Sequence, residues 1–411
     1  MNRRVVITGM GAITPFGNGA LTCWQAVKEG KSGISLIERV DVSDLPVKVA
    51  GEIKNFNPNE FIDKKEVKRM DRFSQYALAA AQLAIEESGL DFQAINTERA
   101  GILIGSGVGG IETIENQYHV LSEKGAGRIS AFFVPMMISN IASSLIAMRY
   151  GIKGFTECVV TACASASNAI GDAYKMIQRN EADIMIAGGA EAPITKLSLA
   201  GFCANKTLSK NEDPASASKP FDAERNGFVM GEGSGILVLE EMEHAIKRGA
   251  NIIAEVVGYG CTNDAYHITS VPEDGEGAAR CMRLALENAG IKAEDIGYIN
   301  AHGTSTVVND KSETAAVKSV FGEYAYRLPV SSTKSMTGHL LGASGAIEAI
   351  IIAYAVKEKF LPPTINYTTP DPECDLYYIP NQGISADIMY AMSNSFGFGG
   401  HNATLILKAV E

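Results

Sequence analysis

The chain has 411 residues with 46% hydrophobic and 20% charged side chains, proportions that predict a folded protein with a large core. Its formal net charge of −11 argues against nonspecific nucleic-acid binding, which needs a basic surface. Seven scattered cysteines without a CxxC pair, no secretory signal and no apolar run long enough for a bilayer predict a cytoplasmic protein without membrane insertion.

Apolar runs typical of strands alternate with helical segments along the whole chain. The first part reads as a strand and glycine turn in RVVITGMG, a helix in DRFSQYALAAAQLAIEESG that Gly89 ends, strands in AGILIGSG and TECVVTAC, a helix in ASASNAIGDAYKMIQRN, a strand in DIMIAGGAE, and a strand leading into a helix in GILVLEEMEHAIKRG. The second part reads as strands in IIAEVVGYG, IGYINAHGTST and LPVSSTKS, helices in EGAARCMRLALENAG, ETAAVKSVFG and GASGAIEAIIIAYAVKEK, and two strands around FGFGGHN. This alternation predicts an α/β fold with a buried parallel sheet.

A short internal echo suggests that the chain is duplicated. The segments ASNAI (166–170) and ASGAI (343–347) agree at four of five positions, and each begins a helix after a strand. The match is short enough for chance to be an alternative. Together with the repeated rhythm, it predicts an N-terminal half of residues 1–250 and a C-terminal half of residues 251–411.

Cys163 lies between the strand TECVVTAC and a helix that opens with small residues. A helix N-terminus carries partial positive charge, which favours thiolate over thiol and can lower a cysteine pKa from about 8.5 into the range of about 3.5–7.5. The position therefore predicts a nucleophilic cysteine, with a buried structural cysteine as the alternative.

His302 and His339 both lie in turns rich in Gly, Ser and Thr that follow apolar strands. Strand ends of α/β folds gather active-site residues, so the two rings are candidate partners of Cys163, with hydrogen-bonded structural histidines as the alternative. A zinc site is the poorer interpretation because the ligand spacing is absent. Lys334 and Glu348 flank His339, and they are interpreted either as a structural ion pair or as residues that orient the histidines.

Three further segments have two interpretations each. GSGVGG (105–110) fits the G-x-G-x-x-G pattern, but no acidic strand end follows at the expected distance, so tight turns beside a pocket are favoured over nucleotide binding. SFGFGGHN (395–402) is either a mobile loop that approaches another group closely or a hairpin turn. DKKEVKRMDR (63–72) is either solvated surface or a basic dock for an acidic partner.

Five of the quoted segments together resemble the β-ketoacyl-acyl-carrier-protein synthases. They are VVTACASASNAIGDA, GFVMGEGSGILVLEE, INAHGTST, SSTKSMTGHLLGASGAIEA and SNSFGFGGHNA, and the likeness extends from the first strand to the last. The resemblance implies a thiolase-like fold, in which a duplicated α/β unit forms a five-layer α-β-α-β-α sandwich, and a homodimer. It also implies decarboxylative condensation of an acyl group with a malonyl group, both delivered by acyl carrier protein, without a metal or redox cofactor.

The same resemblance implies a role for each matching residue. Cys163 corresponds to the acyl-accepting nucleophile, and His302 and His339 to the pair that promotes malonyl decarboxylation. Lys334 and Glu348 correspond to supporting residues, Thr304 and Thr306 to the threonines that hold the phosphopantetheine arm, and Phe398 to a gating residue whose N–H joins that of Cys163 in an oxyanion hole.

The subclass and the two binding surfaces are also expectations from this resemblance. A Cys-His-His set favours the use of primers bound to acyl carrier protein over the use of acyl-CoA primers. Val108 stands where similar enzymes carry isoleucine or glycine at the acyl pocket. The remaining predicted residues are Phe132, Phe133 and Phe202 at the acyl pocket, and Lys64, Lys65, Lys68, Arg69, Arg128 and Lys206 as the docking surface for the acidic carrier.

Two other functions remain as alternatives. A cysteine hydrolase would use Cys163 with one histidine, but it leaves the second histidine, Lys334 and the Gly-Phe-Gly-Gly turn without a role. A non-catalytic subunit of the same fold would not need the complete Cys-His-His set. Within the family, the subclass is open between type I, type II and polyketide-type synthases. The single short chain favours a discrete component of fatty acid synthesis.

Overall fold

The computed structural model describes residues 3–410. Its strands are β1 Val5–Thr14, β2 Gly17–Asn18, β3 Ser35–Leu36, β4 Val49–Ala50, β5 Ala100–Gly105, β6 Thr156–Val159, β7 Ile184–Glu191, β8 Gly233–Glu241, β9 Ala254–Asn263, β10 Ile296–Asn300, β11 Val330–Ser331, β12 Phe360–Leu361, β13 Ile384–Ser385, β14 Tyr390–Gly397 and β15 His401–Lys408. Its helices are α1 Ala20–Lys28, α2 Lys64–Val67, α3 Arg72–Ser88, α4 Ile111–Lys124, α5 Phe133–Met137, α6 Ile141–Tyr150, α7 Ser165–Gln178, α8 Lys196–Ala204, α9 Met242–Lys247, α10 Glu276–Ala289, α11 Val307–Phe321, α12 Lys334–Thr337 and α13 Ser344–Glu358.

The same strand order occurs twice in the main sheet. The first half runs β6-β5-β7-β8-β1 and the second half runs β11-β10-β14-β15-β9. We count only the five strands that each half contributes to this path. Each half then places its third strand at the edge, followed by its second, fourth, fifth and first strands. The halves join where Val5, Val6 and Ile7 of β1 pair with residues 254–256 of β9, so hydrogen bonding is continuous across both.

The sheet is mixed, and the prediction of a parallel sheet is wrong in this respect. The pairs β5–β6, β5–β7, β10–β11 and β10–β14 are parallel, whereas β7–β8, β1–β8, β14–β15, β9–β15 and β1–β9 are antiparallel. Strands buried on both faces are apolar whatever their direction, so composition alone does not distinguish the two arrangements.

Helices cover both half-sheets and separate them, which gives the five layers expected from the sequence. Helices α3 and α6 pack on the outer face of the first half, and α10 and α11 lie on the outer side of the second. Helices α7 and α13 pack against each other and against strands of both halves, in the middle layer. Both are rich in buried alanine and isoleucine, which allows close approach.

Strand β1 passes straight through Gly9 and Gly11, where the sequence predicted a glycine turn. A Cβ atom at Gly11 would lie 2.0 Å from the carbonyl oxygen of Ala80, and one at Gly9 would lie 2.1 Å from that of Ala84. The two glycines thus let α3 lie directly on the strand, which is close packing and not a change of chain direction.

A tight turn precedes each of the two middle-layer helices. The 3₁₀ turn Ala162–Ala164 leads into α7, and the 3₁₀ turn Leu341–Ala343 leads into α13. Each begins with a residue of positive φ, 50° at Ala162 and 47° at Leu341. This matching geometry makes Cys163 and Gly342 equivalent, and it pairs Ala164 with Ala343. The sequence match between ASNAI and ASGAI pairs Ala166 with Ala343 instead. The alignment read from the sequence is therefore displaced by two residues from the structural one.

Candidate active site

A cavity of about 320 Å³ lies beside Cys163, at the ends of strands from both halves. It is lined by eight of the residues singled out in the sequence, which are Cys163, Phe202, Lys206, His302, Thr304, Thr306, His339 and Phe398. The structure therefore brings the predicted nucleophile, both histidines, both threonines and the gating residue to one space.

Local hydrogen bonds hold the turn that presents Cys163. The Ser165 hydroxyl accepts from the Thr161 N–H at 2.9 Å and donates to the Ala162 carbonyl at 2.6 Å. The Asn168 amide donates to the Thr161 hydroxyl at 2.7 Å. A positive φ is unfavourable for alanine, so these contacts are needed to keep Ala162 in this conformation and the sulfur directed into the cavity.

The surroundings of Cys163 oppose ionisation. Burial raises the pKa of its thiol to about 12, assisted by the negative charge of Glu191 and opposed by Lys334 and by the N–H groups of Phe398 and Cys163 itself. The direction is opposite to the lowering that the helix N-terminus predicted, because the sulfur packs against an apolar cluster that includes Leu341. A raised pKa favours the neutral thiol over the thiolate near pH 7.

The two histidines face each other across the cavity. Their ring centroids are 5.3 Å apart and the rings are nearly perpendicular, at 86°. The backbone N–H groups of His302 and Gly303 donate to the Glu313 carboxylate at 2.8 Å each, which fixes the loop after β10. The N–H of His339 donates to the Val229 carbonyl at 2.7 Å.

Both imidazoles are neutral near pH 7. Burial lowers the pKa of His302 and of His339 well below the usual value, and the positive charge of Lys334 lowers both further. The His339 Nδ1 lies 2.9 Å from the Ser344 hydroxyl, so Nε2 is the nitrogen left for a ligand. Two neutral rings at this position can donate N–H hydrogen bonds to a developing oxyanion.

Lys334 and Glu348 form a buried ion pair behind the histidines. Lys334 is 1% exposed and Glu348 is 2% exposed, and the Nζ atom contacts Glu348 Oε1. Burial raises the pKa of the Glu348 carboxyl, and Lys334 opposes that rise. The Lys334 ammonium is the member of the pair that places a positive charge near Cys163 and both imidazoles. The pair therefore fits both interpretations from the sequence, a structural ion pair and residues that orient the histidines.

Aromatic rings form one wall of the cavity. Phe202 lies between Phe228, at 5.6 Å, and Phe398, at 6.3 Å between ring centroids, and Phe228 packs edge-on against His339 at 5.2 Å. The turn that carries Phe398 comes close to the nucleophile, because a Cβ atom at Gly397 would lie 3.0 Å from the Cys163 nitrogen. The N–H groups of Phe398 and Cys163 both act to lower the pKa of the Cys163 thiol, so they lie near the position where an oxyanion would form at an acyl group attached to the sulfur.

Thr304 and Thr306 lie between the histidines and the outer surface. Their hydroxyl oxygens are 2.9 Å apart, and Lys206, which is exposed, lines the same opening. Paired hydroxyls and a cation at a narrow entrance can hold an extended polar arm that carries a phosphate.

Three predicted acyl-pocket residues do not line this cavity. Val108 lies in the loop after β5, where its N–H donates to Glu191 at 3.1 Å. Phe132 and Phe133 lie at the start of α5, and Phe132 is exposed at the surface. The guanidinium of Arg69 lies 4.7 Å from the centre of the Phe132 ring. Only Phe202, of the four, contacts the space beside Cys163.

The predicted docking cations are all exposed. Lys64, Lys65, Lys68 and Arg69 lie in and directly after α2, and Arg128 lies after α4. Arg72, the next cation along this run, forms an ion pair with Glu112 at 3.0 Å, so its charge is not free to pair with an acidic partner. Within residues 3–410 no cluster of three or more His, Cys, Asp or Glu side chains is arranged to hold a metal ion.

Sequence reasoning missed four residues that organise the site, namely Glu191, Phe228, Glu313 and Ser344. Glu191 and Glu313 are buried carboxylates that accept backbone N–H groups from loops around the cavity. Glu191 ends the apolar strand DIMIAGGAE, and that unexpected charge was a signal available in the sequence. Ser344 and Phe228 carried no such signal, because their partners lie on other elements.

Known proteins with similar sequences agree on one family. The chain matches "Beta-ketoacyl synthase, N-terminal domain" over residues 2–245 and "Beta-ketoacyl synthase, C-terminal domain" over residues 253–368. The 3-oxoacyl-[acyl-carrier-protein] synthase 2 of Staphylococcus aureus strain COL is 54% identical over 410 residues, which cover 100% of this chain and 99% of the relative. The protein of the same name from Synechocystis sp. shows the same identity and coverage.

Solved structures of ketosynthases superimpose over the whole chain. A complex described as a type II polyketide acyl-carrier protein with its ketosynthase bound to the hexaketide gives a TM-score of 0.93 at 37% identity, and the ishigamide ketosynthase/chain length factor gives 0.94 at 36%. Both matches cover 100% of each chain. The fold is thus thiolase-like, as expected, and the chain belongs to the β-ketoacyl synthase family.

Proposed function

We propose that this protein is an elongating β-ketoacyl-acyl-carrier-protein synthase of type II fatty acid synthesis. It condenses an acyl group, held on Cys163, with malonyl-acyl carrier protein and releases 3-oxoacyl-acyl carrier protein, CO2 and free carrier protein. The observation that carries the proposal is the single cavity whose lining brings together Cys163, two neutral histidines and the turn that contains Phe398.

The first step transfers the acyl group to the enzyme. The Cys163 sulfur attacks the thioester carbonyl, the bond to the phosphopantetheine sulfur breaks, and the thiol proton passes to that leaving sulfur. The Cys163 and Phe398 N–H groups stabilise the tetrahedral oxyanion. The charge of Lys334 and the N-terminus of α7 favour the transient thiolate against the burial that opposes it.

The second step forms the carbon–carbon bond. Malonyl-carrier protein loses CO2, and the N–H groups of His302 and His339 stabilise the enolate oxygen that remains. The enolate carbon attacks the acyl carbon on Cys163, the carbon–sulfur bond breaks, and the thiolate regains a proton. The product is two carbons longer, and no metal or redox cofactor takes part.

The substrate class follows from the entrance of the cavity. Thr304 and Thr306 are proposed to hold the phosphopantetheine arm, with Lys206 near its phosphate. Val108, Phe132, Phe133 and Phe202 are proposed to shape the acyl pocket. Relatives at 54% identity carry the name 3-oxoacyl-[acyl-carrier-protein] synthase 2, whereas the ketosynthase of a type II polyketide system matches at 37%, and this favours fatty acid over polyketide elongation.

Elongation of acyl-carrier-protein primers tests the proposal directly. A panel of short, long, saturated and cis-unsaturated primers would be incubated with malonyl-carrier protein, and products would be read by mass. Wild type should give products two carbons longer, Cys163→Ala should give none, and Cys261→Ala, which removes an exposed thiol, should behave as wild type.

Two other results would overturn the assignment. Release of free fatty acid in place of an elongated thioester would indicate a cysteine hydrolase. Absence of any acyl adduct on the wild-type enzyme would indicate a non-catalytic subunit. The panel itself shows which chain lengths and unsaturated primers are accepted.

The carrier protein is proposed to dock on the exposed cations Lys64, Lys65, Lys68, Arg69 and Arg128, with Lys206 at the cavity itself. Acyl carrier protein is acidic, so these charges would speed its approach. Reversing both Lys65 and Arg69 to Glu should raise KM for carrier-bound substrate about 10-fold at low salt and leave kcat within about twofold. The matched reversal of Lys292 and Arg327, which are exposed cations of the second half, is the control. An unchanged KM would remove this surface from the interface.

The active form is proposed to be a cytoplasmic homodimer. Within residues 3–410 no helix is both long and apolar enough to cross a membrane. The boundary between the halves is proposed to fall at residues 250/251, between α9 and β9. The repeated strand order supports this division of the chain.

A further inference from the structure

The second half contains a counterpart of the nucleophile turn, and its N–H groups are already occupied. In the first half, the turn at Cys163 meets Gly397 and Phe398, at the end of β14. In the second half, the equivalent turn at Gly342 meets Glu191, at the end of β7. Strands β14 and β7 are the fourth strands of their halves, so the two meetings are related by the internal duplication.

Glu191 fills this second position with its carboxylate. Its Oε2 atom accepts from the N–H of Gly107 at 2.7 Å and from that of Gly342 at 2.9 Å. Its Oε1 atom accepts from the Ser106 hydroxyl at 2.8 Å and from the Val108 N–H at 3.1 Å. Glu191 is fully buried, which raises the pKa of its carboxyl, and the four donors oppose that rise.

The glycines of the two loops are needed for this contact. A Cβ atom at Gly342 would lie 2.5 Å from Glu191 Oε2 and 2.5 Å from the Gly107 nitrogen. One at Gly107 would lie 3.0 Å from the same oxygen. GSGVGG therefore wraps a carboxylate supplied by the protein, and this contact explains the motif without a nucleotide.

We propose that Glu191 is a positioning residue that sets Val108 and the turn between His339 and α13 relative to Cys163. It does so by holding the loop after β5 and the turn at Gly342 on one carboxylate. This inference rests on the proposed condensation, for which Val108 is a wall of the acyl pocket. Glu191 and its four donor residues do not line the cavity beside Cys163, so Glu191 acts on the site through the two loops that it holds.

The charge of Glu191 has a second consequence that can be measured without any condensation. It is one of the groups that raise the pKa of the Cys163 thiol. Glu191→Gln removes the charge but retains the shape, so the thiol should ionise at lower pH. Its amide also cannot accept from every donor, and one N–H, most simply that of Val108, loses its partner.

The test combines Glu191→Gln with Glu191→Asp and a matched control. Glu240 is also a buried carboxylate, but it lies at the opposite end of β7, beside Ile184, where it binds Arg248. Rates of Cys163 alkylation by iodoacetamide would be measured from pH 6 to pH 10. Condensation would be measured with primers of different length, after thermal unfolding has shown that each variant is folded.

Glu191→Gln should shift the alkylation profile to lower pH, and Glu191→Asp and Glu240→Gln should not. Both Glu191 variants should lower kcat by at least about 10-fold and change the distribution of primer lengths, with KM for the carrier unchanged. If a Glu191 variant does not fold, Ser106→Ala removes one donor and should change the primer distribution in the same direction.

The proposal is overturned if the foldable variants retain the wild-type kcat and primer distribution. The proposal is also overturned if Glu240→Gln changes kcat and the primer distribution as strongly as Glu191→Gln does. Alkylation is read on Cys163 itself and does not depend on condensation. If the wild-type protein never condenses but Glu191→Gln still shifts the alkylation profile, the proposed function is overturned. The effect of the Glu191 charge on the Cys163 thiol is then retained.

Discussion

At the scale of single residues, the site depends on neutral donors placed around a buried sulfur. A protonated imidazole would be a stronger donor, but burial and Lys334 keep the pKa of His302 and His339 well below neutrality. A neutral ring can donate from one nitrogen only, so its tautomer decides whether it serves the enolate. For His339 that choice is coupled to Ser344, whose hydroxyl lies 2.9 Å from Nδ1, because a hydroxyl that donates to Nδ1 leaves the ring proton on Nε2.

Ser344→Ala should therefore weaken malonyl decarboxylation. Without the hydroxyl, the proton can move to Nδ1, and Nε2 then faces the enolate as an acceptor. We expect the rate of CO2 release from malonyl-carrier protein to fall roughly 10-fold, which is about 1.4 kcal/mol of transition-state stabilisation. Acyl transfer to Cys163 should change little, because His339 is not assigned to that step.

Ser88→Ala is the matched control for this variant. Ser88 is also buried and bonded, to the Ile85 carbonyl at 2.7 Å, but it lies at the C-terminal end of α3. Ser88→Ala should lower the free energy of unfolding and leave the rate of CO2 release unchanged. A Ser344→Ala enzyme with wild-type decarboxylation would show that the tautomer of His339 is set by another group.

The sequence predicted the identity of the central residues better than their electrostatic state. Cys163, His302 and His339 follow strands and carry small neighbours, and those local patterns are visible along the chain. The raised pKa of Cys163 depends on Leu341 and other apolar residues brought from distant segments, and on Glu191. Such surroundings exist only after folding, so a helix N-terminus alone predicted the wrong direction.

At the scale of elements, most long helices were predicted from the sequence, but length alone did not decide the outcome, because α4 with 14 residues was missed and α9 with 6 residues was predicted. The predicted segments contain α3, α7, α10 and α13, each of which has 14 residues or more. Helices α5 and α12 have 5 and 4 residues and depend on tertiary contacts. The same limit applies to β1, where the glycines that were interpreted as a turn are the surface on which α3 packs.

Gly11→Ala tests this close packing. The added Cβ atom would lie 2.0 Å from the Ala80 oxygen, and backbone must move because the obstacle is a carbonyl group. We expect the free energy of unfolding to fall by about 2–4 kcal/mol. Chemical denaturation would measure it.

Gly201→Ala is the control for the same substitution in open space. Gly201 lies within α8, and an added Cβ atom would meet nothing within 4 Å. Alanine has the higher helix propensity, so stability should stay constant or rise by up to about 1 kcal/mol. If Gly11→Ala is as stable as wild type, α3 can move away from β1 at little cost, and the close contact is not required.

At the scale of the whole molecule, the duplication gives two similar halves but only one nucleophile. The first-half turn carries Cys163, whereas the second-half turn carries Gly342 and receives the Glu191 carboxylate. The two edges of the main sheet are β6 and β11, the third strands of their halves. Strand β6 has 4 residues with half-buried or exposed side chains, and its outer backbone groups have no neighbouring strand among the described residues.

We expect the proposed homodimer to form at this edge. Phe155, directly before β6, is 43% exposed, and Val160, directly after it, is 56% exposed. A surface groove of about 870 Å³ lies next to the strand and is lined in part by Phe155, Val159 and Leu284. Unpaired strand edges flanked by apolar side chains favour association, and antiparallel pairing of two β6 strands would join both sheets around a twofold axis.

Phe155→Asp combined with Val160→Asp should therefore produce a monomer. Wild type should sediment near twice the chain mass of 43.7 kDa at micromolar concentration, and the double variant near that mass itself, because two buried charges per subunit oppose the contact. Ile246→Asp is the control, since Ile246 is 55% exposed on α9, which packs on β1 and β8 away from this edge. A wild-type protein that sediments as a monomer, or a double variant that remains a dimer, would show that β6 is not the interface.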